Sequence, residues 1–145
     1  MGKINWTRVL LGGLIAGFIV NVLWFAVWGP LAGRTLTAAL LTLGHPMQET
    51  VSITVLMVVL GFVSGIVAIW LYAAIRPRYG AGPGTAALAG VAAGLLAGVL
   101  PDIGWGLTLR LIPVSVWVGD AVFTLVVTVI ATLLGAWVYK EPAGQ

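Results

Sequence analysis

The sequence predicts an all-α, polytopic membrane protein with four transmembrane helices. Its composition, four long apolar runs and the placement of its few cations carry that prediction. Of 145 residues, 61% are hydrophobic and 8% charged, and mean hydropathy is +1.12. A water-soluble domain carries about 25% charged residues. The four apolar runs, each about 20 residues or more, match a hydrocarbon core of about 30 Å at about 1.5 Å per helical residue. This leaves room for one domain, residues 1–145, with short connections.

The first span is expected over residues 9–28, ending at Gly29-Pro30, because proline removes an N–H and crowds the preceding turn. The basic start, Lys3 and Arg8, resembles a signal peptide's, but the apolar run exceeds the usual ~7–15 residues. A retained helix is therefore expected. Residues 35–43 are apolar but too short to span, which predicts a brief interfacial helix before Gly44-His45-Pro46. The second span covers 50–75 and is followed by breaker residues from Arg76-Pro77-Arg78 to Gly84. The third covers 85–103, or continues to 111 if Pro101 merely kinks it. The fourth covers 114–139.

With four spans, Lys3, Arg8, Arg76, Arg78 and Lys140 fall on one side, and only Arg34 and Arg110 on the other. The positive-inside rule makes the first side cytoplasmic and puts both termini there. Trp6, Trp70, Tyr72, Tyr79, Trp137 and Tyr139 form an inner aromatic belt; Trp24, Trp28, Trp105 and Trp117 form an outer one.

The halves resemble each other. An offset of 77 aligns Gly13, Gly17 and Trp28-Gly29 with Gly90, Gly94 and Trp105-Gly106. An offset of 67 aligns Trp70-x-Tyr72 with Trp137-x-Tyr139. The expected arrangement is two parallel-repeat helical hairpins. Gly13, Gly17, Gly61, Gly65, Gly90, Gly94, Gly98 and Gly135 lie on faces that allow close backbone approach, either within one bundle or against another membrane protein.

Polar groups inside a span need a partner or a function. Asn21 falls near mid-membrane, where it either bonds to a neighbouring helix or lines a polar route. Asp120, and Asp102 if the third helix continues, lie a turn or so below the outer surface. They either face each other or pair with Arg110. His45 and Glu49 are split by Pro46 and fall short of a metal site's three or four ligands. No nucleophile set, phosphate loop or paired-carboxylate motif occurs in the required context, so no catalytic residue, metal or cofactor is expected. With no cysteine, the redox character of the compartment is not encoded. The pI near 9.8 reflects helix-end cations and implies no nucleic-acid partner.

VLLGGLIAG at Val9–Gly17 and AIWLYAAIRPRYGAGPGTA at Ala68–Ala86 resemble small four-span bacterial inner-membrane proteins that carry no assigned activity. The resemblance implies topology and location, with no mechanism. The sequence thus leads to a non-enzymatic membrane protein with lipid as its surroundings. It is expected to be a structural or accessory subunit packed against other membrane-protein subunits or itself. The alternative is a small transporter or channel, alone or dimeric, with a polar route past Asn21, Asp102 and Asp120.

Overall fold

The computed structural model describes residues 4–44, 50–110 and 113–140; His45, Glu49, Lys3 and Leu111 lie outside them. Four long apolar helices account for nearly all of the described chain: α1 Trp6–Thr42, α2 Val51–Tyr79, α3 Pro83–Thr108 and α4 Val114–Ala136. No strand occurs among the described residues. Large apolar side chains such as Leu10, Phe18, Val55, Val63, Val122 and Val126 point outward along all their lengths. Such a surface suits a lipid solvent, where aliphatic side chains lose nothing by exposure. The protein is an integral, multi-pass membrane protein of four α-helices.

The first helix does not stop at Gly29-Pro30, and residues 35–43 are not a separate interfacial helix: α1 runs unbroken for 37 residues. The reason lies one turn before the proline. Trp24–Trp28 form a π-helical turn in which the Gly29 N–H bonds to the Trp24 carbonyl, five residues back. This wider turn makes room for the Pro30 ring at the start of the following α-helical stretch, where a missing N–H is tolerated. The same device carries α3 past Pro101. Leu95–Val99 are π-helical and the Leu100 N–H bonds to the Leu95 carbonyl. The third helix therefore continues well beyond residue 103.

Two other boundaries move slightly. The second helix extends past Ile75 to Tyr79 because Pro77 lies in its last turn; Gly80, at φ 85°, then ends it. The fourth ends at Ala136 rather than residue 139, and Val138 and Tyr139 bond back to the carbonyls of Gly135 and Ala136 in a tight final turn.

The bundle is held by small residues. Gly13 and Gly17 of α1 lie on Ile66 and Phe62 of α2, and Gly65 sits against the α1 backbone at Gly13 and Gly17. On the other side of α1, Gly12 meets Gly135 of α4. Ile69, fully buried, fills the junction of these three helices together with Val9 and Ala16. In the second hairpin, Gly90, Gly94 and Gly98 of α3 face Thr132, Thr128 and Thr124 of α4. The contacts do not follow the offsets that align the sequence. Gly13 meets Ile66, which those offsets would translate to Gly90 on Leu133, whereas Gly90 meets Val129, one turn away.

The two chain ends meet at one end of the bundle. The Asn5 backbone N–H donates to Tyr139 Oη at 3.3 Å and its side-chain amide to the Lys140 carbonyl at 3.1 Å. Tyr139 packs edge-on to Tyr72, and the Arg76 guanidinium lies over its ring. In both Trp-x-Tyr pairs the tyrosine is buried and the tryptophan exposed. The tightly packed core occupies this half; the opposite half opens.

Candidate functional site

In the open half, all four helices contribute to one cleft of about 290 Å³, lined by Asn21, Ser64, Asp102, Asp120, Thr124 and Thr128 among apolar groups that include Trp24 and Phe25. The three polar residues singled out from the sequence, Asn21, Asp102 and Asp120, thus meet at one place. Asn21 lies on α1 just before its wide turn, and Asp102 lies on α3 just after its own.

The wide turn of α3 determines which side chains point inward. A regular α-helix continuing the glycine face would bring Pro101 and Trp105 to that face by three- and four-residue steps. Instead Gly90, Gly94, Gly98, Asp102 and Gly106 are all buried, at uniform four-residue spacing, while Trp105 is exposed. A strict spacing of four drifts around a helix of about 3.6 residues per turn. The π-helical stretch, with its longer i→i+5 closure, absorbs that drift and brings Asp102 into the cleft.

Asn21 donates from Nδ2 to the carbonyls of Gly17 at 2.9 Å and Val58 at 3.1 Å. The second bond joins α1 to α2. Gly61 makes it possible, since a Cβ there would lie 2.6 Å from the Asn21 amide. With both amide hydrogens committed, Asn21 offers only its carbonyl oxygen to other partners. Thr128 Oγ1 lies 2.5 Å from the Thr124 carbonyl and 3.1 Å from that of Leu125, so its proton is also used within α4.

The carboxyl groups of Asp102 and Asp120 interact with each other, and no Lys, Arg or His lines the cleft around them among the described residues. Asp102 is 9% exposed. Its Oδ2 and Asp120 Oδ1 are shut off from solvent with no hydrogen-bond donor among the described residues. Carboxylate oxygens only accept, so two of them brought together require a shared proton or a cation. Arg110 does not serve. It is exposed, follows the end of α3 in a left-handed conformation with φ 49°, and does not join the pair.

Comparison with known protein families, curated proteins and solved structures finds no match.

The eight packing glycines are used within the monomer: Gly13, Gly17, Gly61 and Gly65 between α1 and α2, Gly90, Gly94 and Gly98 between α3 and α4, and Gly135 against α1. Two of the tryptophans of the expected outer belt are likewise taken up internally. Trp28 stacks on Phe123 with ring centroids 5.3 Å apart, and Trp117 covers Gly106. Sequence reasoning did not find Ser64, Thr124 or Thr128. The threonines at 124, 128 and 132 carried a usable signal, because their four-residue spacing mirrors Gly98, Gly94 and Gly90.

Proposed function

We propose that this protein is a small, non-enzymatic membrane transporter whose solute or proton route passes Asn21, Asp102 and Asp120. The observation that carries this reading is the convergence of those residues on one cleft, with two carboxyl oxygens lacking any donor among the described residues. Intramembrane carboxyl groups are costly to retain and are characteristic of ion and proton pathways. The wide turns support it too, since Trp24 and Phe25 belong to one and Ala97 and Gly98 to the other, and all four line the cleft. In reconstituted vesicles, flux should be lost in Asp102→Asn and in Asp120→Asn. Flux that persists unchanged in both variants overturns the reading.

A structural or accessory subunit is the second reading. Glycine faces free to dock would favour it, but those faces are occupied within the bundle. What does favour it is the part of α1 beyond Pro30, in which only Ala32 is buried among the described residues. Stoichiometric partners retained on purification from native membranes would support it.

We further propose a bacterial inner-membrane location, with both termini cytoplasmic and the two hairpins derived from one duplicated unit. The joined ends at Asn5 and Tyr139, with Arg8, Arg76, Arg78 and Lys140 near them, support that orientation. The duplication rests on the sequence match, since the wide turn and its proline recur in the first helix of each hairpin at an offset of 71 rather than the 77 that aligns the glycines. A cysteine at Tyr79 should resist an impermeant thiol reagent added outside, and one at Thr35 should react. The reverse pattern would invert the topology.

A further inference from the structure

The polar groups of the cleft share one chemical character. Asn21 presents its carbonyl oxygen, because both amide hydrogens are committed to Gly17 and Val58. Thr128 presents lone pairs, because its proton is directed to α4 carbonyls. Asp102 and Asp120 present carboxyl oxygens, two of them buried and without donors among the described residues. No Lys, Arg or His lines the cleft among the described residues. Such a lining repels anions and attracts a group that carries positive charge or donates hydrogen bonds.

The other walls limit what kind of cation fits. A hard metal ion takes about six or more oxygen ligands, and no group of three or more His, Cys, Asp or Glu side chains suited to a metal occurs among the described residues. Trp24, Phe25, Met57 and Leu60 instead supply apolar and aromatic surface. Aromatic faces attract organic cations, and most strongly where water is excluded. The space of about 290 Å³ far exceeds a bare ion and lies at the lower end of small-molecule clefts, about 300–1,000 Å³. A cation placed between the two carboxylates takes the place of the proton they would otherwise share, so both bear on its charge.

We propose that the cleft binds a lipophilic organic monocation, with its charge at Asp102 and Asp120 and its apolar body against Trp24 and Phe25. This names the class of solute for the transport reading above and rests on it for physiological meaning. The binding itself is measurable without transport.

The test uses the full chain in lipid nanodiscs with benzyltrimethylammonium as probe and its uncharged isostere neopentylbenzene as control, followed by calorimetry and tryptophan fluorescence. The ammonium ion should bind saturably and the isostere at least tenfold more weakly. Asp102→Asn and Asp120→Asn should each weaken binding tenfold or more, and Asp120→Glu, which keeps the charge, should retain most of it. Trp24→Ala should weaken binding of benzyltrimethylammonium more than that of tetramethylammonium, which has no ring. Asp102 and Asp120 are the only titratable groups lining the cleft among the described residues, so binding should weaken as pH falls and protons compete. Circular-dichroism melting of each variant separates lost binding from lost fold.

Absence of saturable binding overturns the inference. So does equal binding of the isostere, equal binding by the folded Asp→Asn variants, or carboxyl-dependent binding of sodium in place of the organic cation. Proton flux that needs both aspartates without ammonium binding leaves transport standing and removes this solute class. Carboxyl-dependent ammonium binding without any flux does the opposite.

Discussion

Replacing Gly65 with leucine should separate α1 from α2 and lower the stability of the bundle by at least the upper end of the ~1–3 kcal/mol typical of overpacking. A Cβ at position 65 would run into the Gly17 backbone nitrogen and lie 2.5 Å from the Gly13 carbonyl oxygen and 2.7 Å from the Gly17 Cα. These are backbone atoms of a helix, which cannot rotate aside as a side-chain tip can. Relief requires moving α1 as a body, and that also withdraws Gly13 from Ile66 and Gly17 from Phe62. In lipid this close approach is itself the main source of association, because apolar side chains gain little by leaving the tails. Gly104→Ala is the matched control. Nothing lies within 4 Å of a Cβ at position 104, and alanine is the better helix former by about 1 kcal/mol. Unfolding in mixed micelles, followed by circular dichroism, should show a large loss for Gly65→Leu and none for Gly104→Ala. Equal stability of the two would mean that the helices do not meet at Gly65.

Gly12→Ala and Gly135→Ala should each destabilise the protein by about 1–3 kcal/mol, and the double variant by clearly less than the sum. The two glycines approach reciprocally. A Cβ at Gly12 would lie 2.5 Å from the Gly135 carbonyl oxygen, and a Cβ at Gly135 would lie 2.5 Å from that of Gly12. Either methyl group pushes α1 and α4 apart at the same point, so the second finds the gap already opened. Ile69 deepens the effect, since its side chain is 3.3 Å from the one Cβ position and 2.9 Å from the other. A double-mutant cycle in the same unfolding assay measures the coupling. Strict additivity would place the two glycines in separate interfaces.

The four spans were legible because apolar runs with so little charge cannot be kept in water and are each long enough to cross a hydrocarbon core. Asn21, Asp102 and Asp120 stood out because a polar side chain in an apolar run is conspicuous. What the sequence hid was continuity and phase. The proline rule that ended the first span at Gly29-Pro30 assumes α-helical bonding up to the ring, and an i→i+5 turn suspends it. The same turn in α3 shifts the inward face from Pro101 and Trp105 to Asp102 and Gly106, so the meeting of the two aspartates depends on a feature that a 3.6-residue period does not contain. Thr128 and Thr132 are hidden for a different reason. Their hydroxyls bond to carbonyls four residues back and vanish into an apolar pattern. Gly12 is overshadowed by Gly13, although consecutive positions on a helix serve two different neighbours: α4 for the first and α2 for the second.

The unbroken first helix has a mechanical consequence. Its first half is clamped between α2 and α4, whereas residues 31–42 extend about 18 Å beyond Pro30 and bury only Ala32 among the described residues. The part beyond the wide turn is therefore a lever arm whose fulcrum coincides with one wall of the cleft. By simple geometry, a rotation of about 10° at Trp24–Trp28 displaces the tip, about 24 Å away, by about 4 Å. Trp24 and Phe25 belong both to this turn and to the cleft wall, so a reorientation of the far end of α1 would reshape the cleft.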